Sequence, residues 1–125
     1  MPESKKQVLV VDDELHITTL LCAALKVNGY EVCTACDGVE ALELIDLKHP
    51  DLILLDIQMP RMDGWQVCEK LKGQEATKDI PLIIVTAYGQ KENREKSLKL
   101  GADDFITKPF EISHLIERVK KFLQK

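Results

Sequence analysis

The sequence lacks long apolar runs, clusters of basic residues and Gly/Ser/Pro-rich linkers. The apolar stretch near its start, residues 7–11, is far shorter than a signal-peptide core or a membrane span, so we expect a cytoplasmic protein without membrane insertion. The formal net charge is −4. Binding to a nucleic-acid backbone needs a concentrated basic face, so we expect no direct contact with nucleic acid.

Cysteines are present, but nothing in the sequence favours disulfide bonds. A disulfide framework is typical of small secreted chains, and no export signal accompanies Cys22, Cys33, Cys36 and Cys68. Cys33 and Cys36 have CxxC spacing, yet they fall on a predicted strand, where residues three apart point to opposite faces. We therefore expect free thiols and no metal at this pair.

Length and composition favour one globular domain. The chain has 125 residues, of which 45% are hydrophobic and 30% charged. A chain of this size buries roughly two-thirds of its unfolded surface, and no composition shift marks a second unit. We expect a single domain over residues 1–125, with an ordered core over about 5–124.

Apolar runs and helical patterns alternate along the chain. Runs typical of buried strands occupy residues 8–11, 52–55, 82–85 and 105–106, and residues 30–35 resemble a strand nearer the sheet edge. Between and after them, apolar residues recur at helical spacing, most clearly over residues 112–123. The segment 90–100 is mostly polar, with Leu98 and Leu100 as its main apolar anchors, so we expect a weakly packed, mobile helix.

This alternation predicts an α/β fold, a doubly wound five-stranded parallel sheet with five helices and the flavodoxin-like strand order 2-1-3-4-5. Ligands of such sheets bind outside the carboxyl ends of the strands, where the order reverses. The first and third strands meet at that point. We therefore expect the functional residues at the ends of strands.

Polar side chains follow four of the predicted strands. Asp12, Asp13 and Glu14 follow the first strand, Asp56 the third, Thr86 the fourth and Lys108 the fifth. Taken singly, these residues fit a helix cap, a turn and a solvated loop charge. Their convergence on one pocket favours a functional site.

Converging carboxylates repel one another unless a cation neutralises them. Magnesium suits such a cluster, because it prefers oxygen ligands and keeps several waters beside one or two carboxylates. A carboxylate can also attack phosphorus and become an acyl phosphate. Asp56 stands alone at its strand end and is the best nucleophile, whereas Asp12 and Asp13 suit metal binding.

Five motifs along the chain resemble those of the response-regulator receiver family, and the chain is similar to its stand-alone, chemotaxis-regulator-like members. They span nearly the whole chain and occur in the expected order. The motifs are Val10-Val11-Asp12-Asp13-Glu14, Leu54-Leu55-Asp56-Ile57-Gln58-Met59-Pro60, Asp63-Gly64, Val85-Thr86-Ala87 and Lys108-Pro109-Phe110.

The resemblance implies a role for each site residue. Asp56 would be the phosphoacceptor, and Asp13, Asp56 and the Gln58 backbone carbonyl would bind Mg²⁺ directly, with Asp12 acting through water. Lys108 would pair with the phosphoryl group, and the Lys108–Pro109 peptide would be cis. Thr86 would hydrogen-bond a phosphoryl oxygen.

The resemblance also implies a switch. Thr86 would move towards the phosphoryl oxygens, with Phe105 as the aromatic switch residue, and the face made by the fourth helix, fifth strand and fifth helix would carry the output. Phe105 also fits a plain core residue. Gln58 and Tyr88 occupy positions that influence the lifetime of the acyl phosphate. The predicted output face lies around Lys91, Arg94, Glu95, Phe105 and Phe110.

The implied partners are a histidine kinase or histidine phosphotransfer protein as donor, admitted by the small Ala87, and a downstream protein. We expect a monomer or a weak phosphorylation-dependent dimer that catalyses only its own phosphorylation and dephosphorylation. No effector domain follows the fifth helix in this sequence, so output would pass to partner proteins, unless the sequence is part of a larger regulator. Trp65 fits a partly exposed helix residue.

Three other classes of protein would carry different residues at these positions or would not need them. An aspartate-nucleophile hydrolase would need a second acid where Gln58 stands. A flavin-binding domain would need a phosphate loop where three acids follow the first strand. An interaction module that is never phosphorylated would not need the full set of acids with Thr86 and Lys108.

Overall fold

The structure is a computed structural model that describes residues 5–59, 63–87 and 91–123. Five strands alternate with five helices along the chain. The elements are β1 (Gln7–Val11), α1 (Leu15–Val27), β2 (Glu31–Ala35), α2 (Gly38–Lys48), β3 (Leu52–Leu55), α3 (Gly64–Lys72), β4 (Leu82–Thr86), α4 (Lys91–Lys99), β5 (Asp104–Thr107) and α5 (Ile112–Leu123).

The strands form one parallel sheet in the order β2-β1-β3-β4-β5, which confirms the predicted doubly wound topology. β2 lies at an edge of the sheet, as predicted. β1 lies between β2 and β3, because the chain reverses its direction of winding after β2. The carboxyl ends of β1 and β3 are therefore neighbours, and the residues that follow them meet.

Both faces of the sheet are covered. Successive side chains of a strand point to opposite faces, and β1 shows this directly. Leu9 and Val11 pack in a cluster with residues of α2 and α3, whereas Val8 and Val10 pack with residues of α1 and α5. Because β3 and β4 contribute to both clusters, their sequences are continuous apolar runs.

Turn chemistry explains where several helices end. Gly29 and Gly101 adopt φ values of 93° and 103°, a region that suits glycine because it has no Cβ. His49 closes α2 in the left-handed region at φ 50°. Each of these residues lies one or two positions after the last residue of its helix. Asp63 caps the start of α3, because its carboxylate accepts the Gln66 N–H while the Gln66 side chain accepts the Asp63 N–H.

One predicted anchor of α4 was wrong. Leu98 is 51% exposed, whereas Ser97 is fully buried and its hydroxyl donates to the Asn93 carbonyl. Helical geometry turns only one side of α4 towards the sheet, and the small Ser97 occupies that side. Leu100, which follows the helix, does pack against the core.

The four cysteines are free, as predicted. Cys68 is buried, whereas the thiol of Cys36 lies at the surface, 3.3 Å from Glu40 Oε1. Among the described residues, no helix is both long enough and apolar enough to span a membrane.

Candidate functional site

The backbone places the candidate site residues at adjacent strand ends. The N–H of Asp12 donates to the Ala35 carbonyl at the end of β2, and the N–H of Asp56 donates to the Val11 carbonyl at the end of β1. The Lys108 N–H donates to the carbonyl of Thr86, the last residue of β4. These bonds extend the parallel ladder by one step and align the residues that follow each strand.

The side chain of Lys108 crosses the site and joins three carboxylates. Its Nζ lies 2.6 Å from Asp12 Oδ2, 2.9 Å from Glu14 Oε1 and 3.1 Å from Asp56 Oδ2. The Lys108 side chain is only 9% exposed. A buried ammonium is costly unless it is paired, and here each of its three N–H donors has a carboxylate partner.

Local backbone bonds orient two of these carboxylates. Asp12 Oδ1 accepts the Glu14 N–H at 3.0 Å, and Asp56 Oδ1 accepts the Gln58 N–H at 3.1 Å. Each carboxylate therefore presents one oxygen to the backbone and the other to Lys108. Both residues are nearly fully buried, at 4% and 5% exposure.

The ionisation of the site follows from burial and from this pairing. Burial raises the pKa of Asp12, although the hydrogen bond from Lys108 opposes the rise. The hydrogen bond from Lys108 lowers the pKa of the exposed Glu14. Burial alone would lower the pKa of Lys108, but hydrogen bonds to Asp12 and Glu14 and the charge of Asp56 raise it above its ordinary value. Lys108 is therefore a permanent cation at neutral pH.

Asp12, Asp13 and Asp56 form a cluster that fits a metal ion. One carboxylate oxygen from each lies within 4.8 Å of the others. All the donors are hard oxygens, which suits Mg²⁺. The exposed Asp13 opens this cluster to solvent, which suits an ion that keeps water ligands.

A cavity of about 270 Å³ gives access to Asp56. It is lined by Asp13, Glu14, Asp56, Gln58, Ala87 and Lys108. Ala87 is exposed, so a small side chain stands at the entrance. This cavity is large enough for a phosphoryl group but too small to enclose a drug-sized molecule.

The other predicted site residues that the structure describes lie on or directly after β4 and β5. Thr86 is fully buried at the end of β4, and Phe105 is 5% exposed on β5. The guanidinium of Arg94 lies 5.2 Å from the centroid of the Phe105 ring. The Lys108–Pro109 peptide is cis, as the resemblance implies. Pro60 of the third-strand motif and Tyr88 lie outside the described residues.

Sequence reasoning assigned no role to Glu14 or to the glycine of Asp63-Gly64. A Cβ at Gly64 would lie 2.5 Å from the Ile57 Cα and 2.6 Å from the Asp56 carbonyl oxygen. Only glycine allows α3 to begin so close to the acid at position 56. In the sequence, Gly64 stands directly after a helix-capping aspartate, and Glu14 is a third acid beside the two that suit metal binding. These two features could have indicated both residues.

Comparisons with known proteins identify the family of this chain. A family model described as "Response regulator receiver domain" matches residues 8–120. "Probable transcriptional regulator ycf27" of Cyanophora paradoxa is 45% identical over 125 residues, which are 100% of this chain and 51% of the relative. The chain spans about half the length of the curated relatives that it matches.

Solved structures agree in fold and sequence. The chemotaxis response regulator CheY4 of Vibrio cholerae has a TM-score of 0.90 and 31% identity, covering 96% of this chain and 100% of that chain. The receiver domain of the sensor histidine kinase PA1611 of Pseudomonas aeruginosa PAO1, with a magnesium ion in its active-site cleft, has a TM-score of 0.89 and 28% identity, covering 98% and 100%. The chain belongs to the response regulator receiver domain family of two-component signalling systems.

Proposed function

We propose that this chain is a phosphorylation switch that accepts a phosphoryl group on Asp56 from a histidine kinase or a histidine phosphotransfer protein. The observation that carries the proposal is the environment of the Asp56 carboxylate. It is buried at the end of β3, it contacts the ammonium of Lys108, and it borders an open cavity. Family membership supports the class of reaction.

In the proposed transfer, an Asp56 carboxylate oxygen forms a bond to phosphorus while the bond between phosphorus and the donor's imidazole nitrogen breaks. The electron pair of the broken bond stays on that nitrogen. Asp56 enters the reaction as an anion and needs no general base. Lys108 is positioned to stabilise the charge that spreads over the transferred oxygens.

The acidic cluster is proposed to bind Mg²⁺. Asp13, Asp56 and the Gln58 backbone carbonyl would be direct ligands, and Asp12 would act through water. When bound, the ion would neutralise charge on the carboxylates and on the phosphoryl oxygens. The oxygen donors grouped within 4.8 Å and the magnesium-containing relative support this assignment.

The open cavity supports a macromolecular donor. With Ala87 at the entrance, a donor imidazole can approach Asp56 without displacing a large side chain. The chain would catalyse only its own phosphorylation and dephosphorylation, with Gln58 among the residues that set the lifetime of the acyl phosphate.

The proposed output is a change on the face formed by α4, β5 and α5. Thr86 would hydrogen-bond a phosphoryl oxygen. The resulting movement would shift the ring of Phe105, which Arg94 contacts, and so change the surface of this face. Lys91, Glu95 and Phe110 would complete the face. We expect beryllofluoride with Mg²⁺ to alter amide hydrogen exchange over residues 91–110, and unaltered exchange there would contradict the switch.

The chain is proposed to form one receiver domain that signals through protein contacts, as a monomer or a weak phosphorylation-dependent dimer. The net charge of −4 supports contact with protein rather than with nucleic acid. Some relatives are named transcriptional regulators and are about twice as long. In a longer protein the same face would act on a further segment of that chain. A pull-down with and without beryllofluoride tests for a separate partner.

The test of phosphoryl transfer is intact-mass spectrometry after treatment with acetyl phosphate and Mg²⁺. The wild-type chain should gain the mass of one phosphoryl group, and Asp56→Asn should gain none. Omission of Mg²⁺ should suppress the gain. An unmodified wild-type chain in the presence of Mg²⁺ would refute the proposal and favour an interaction module.

A further inference from the structure

Lys108 divides its three hydrogen bonds between two kinds of carboxylate. Asp12 and Asp56 belong to the metal-fitting cluster. Glu14 does not belong to the cluster found among the described residues, yet its Oε1 lies 2.9 Å from Lys108 Nζ. Lys108 thus shares two partners with the proposed metal site and has one partner outside that site.

The position of Glu14 is unusual for the residue that begins a helix. As the N-cap residue of α1 it makes no side-chain cap hydrogen bond, although N-cap side chains commonly accept one from the first turn. Its N–H instead donates to Asp12 Oδ1, and its side chain turns back to Lys108. The local backbone therefore gains no cap from this carboxylate.

A divalent cation and an ammonium compete for the same carboxylate oxygens. When Asp12 and Asp56 are drawn towards a metal, their bonds to Lys108 weaken, and a buried ammonium without a partner is costly. A carboxylate that holds the ammonium without joining the metal site lowers that cost. Glu14 is partly exposed, at 47%, so its own ionisation carries little desolvation cost.

We propose that Glu14 is a positioning residue for Lys108. It holds the ammonium beside the phosphoacceptor while Asp12 and Asp56 engage a divalent cation, and so favours metal binding through Lys108. This inference rests on the proposed function, because it assumes that the acidic cluster binds Mg²⁺.

The alternative is that Glu14 acts only as a nearby negative charge that attracts the cation directly. The two accounts differ in their dependence on Lys108. Direct attraction persists when Lys108 is replaced by an uncharged residue, whereas positioning disappears. A double-mutant cycle between Glu14 and Lys108 therefore separates them.

The experiment measures Mg²⁺ affinity by calorimetry, without a phosphodonor, for wild type, Glu14→Gln, Lys108→Met and the double variant. Glu14→Gln should weaken Mg²⁺ binding by about two- to fivefold when Lys108 is present, the range for a partly exposed ion pair. In the Lys108→Met background, Glu14→Gln should weaken Mg²⁺ binding by less than half as many fold as it does when Lys108 is present. Equal weakening on both backgrounds would overturn the inference.

Glu40→Gln is the matched control. Glu40 lines a neighbouring cavity together with Asp12 and Asp13, and its carboxylate bonds the N–H of Cys36. Any effect of its charge on Mg²⁺ binding should be the same with and without Lys108.

A second variant covers the case in which Lys108→Met fails to fold. Glu14→Asp keeps the charge but shortens the reach, so it should bind Mg²⁺ as weakly as Glu14→Gln, and wild-type affinity in this variant would overturn positioning. Phosphorylation of Asp56 by acetyl phosphate is scored separately. Normal phosphorylation with no coupling between positions 14 and 108 defeats only this inference, whereas a wild-type chain that neither binds Mg²⁺ nor is phosphorylated defeats the proposed function as well.

Discussion

At the scale of single residues, the site brings like charges close together, an arrangement that folding stability alone would not favour. Three carboxylates offer oxygens within 4.8 Å of one another, and two of these residues are buried. Lys108 offsets part of their repulsion by pairing with Asp12 and Asp56. Functional sites commonly retain such unfavourable groupings at the expense of stability.

Asp12 provides a direct test of that cost. Its folded-state pKa lies above its ordinary value of 3.8 because of burial, so the folded state favours the protonated form and ionisation costs stability as the pH rises above that range. Asp12→Asn should therefore raise Tm at pH 7 without divalent metal, by about 4 °C for a gain of about 1 kcal/mol. Differential scanning calorimetry measures this change.

The gain from Asp12→Asn should shrink as the pH approaches 4, because the wild-type carboxyl then takes up its proton. Asp46→Asn, at an exposed position on α2, serves as the control and should change stability by less than about 0.5 kcal/mol. A lower Tm for Asp12→Asn at pH 7 would mean that the ion pair with Lys108 outweighs the cost of burial.

Sequence reasoning located Asp12, Asp13, Asp56 and Lys108 because residues that follow parallel strands must meet. The position of the Glu14 side chain does not follow from that rule. Its backbone begins α1, and only the folded geometry shows that its carboxylate turns back to Lys108 instead of capping the helix.

At the scale of elements, α4 differs from the other helices. Its only buried residue is Ser97, whereas α1, α2, α3 and α5 each bury several residues. Two cations of α4 lie over aromatic rings: Arg94 over Phe105 on β5, and Lys96, at 4.6 Å from the ring centroid, over Trp65 on α3. These contacts supply part of the anchoring that apolar packing supplies elsewhere.

We expect the double variant Arg94→Ala/Lys96→Ala to loosen α4. A cation–π contact at an exposed site contributes about 0.5–1 kcal/mol, so the loss of both contacts costs about 1–2 kcal/mol. Amide exchange within residues 91–99 should therefore accelerate by about five- to thirtyfold. Hydrogen-exchange mass spectrometry measures this. Lys99→Ala, at an exposed position on the same helix, controls for helix propensity, and equal exchange in both variants would show that the rings do not anchor α4.

The pattern of apolar residues predicted all five strands to within one residue at each end, and it predicted both ends of β3 and of α5 correctly. It failed at Leu98, because a mostly polar helix carries too few apolar positions to show which side faces the sheet. The cation–π contacts of Arg94 and Lys96 link α4 to β5 and α3, so no local pattern could reveal them.

At the scale of the whole molecule, strand order creates the site. Because β1 lies between β2 and β3, the ends that carry Asp12 and Asp56 are adjacent, and the ends of β4 and β5 bring Thr86 and Lys108 to the same edge. Strict alternation of strands and helices predicted this arrangement. Strand order does not predict which process is regulated, because residues at the strand ends define the chemistry whereas surface contacts define the partner.

The proposed switch requires that Asp56 becomes an acyl phosphate. The most direct measurement treats the chain with acetyl phosphate and Mg²⁺, reduces the acyl phosphate with borohydride and locates the resulting homoserine by peptide sequencing in a mass spectrometer. Homoserine is expected at position 56 and at no other acid of the site. Homoserine at position 12 or 13, or no homoserine at all, would refute the assignment of Asp56 as the phosphoacceptor.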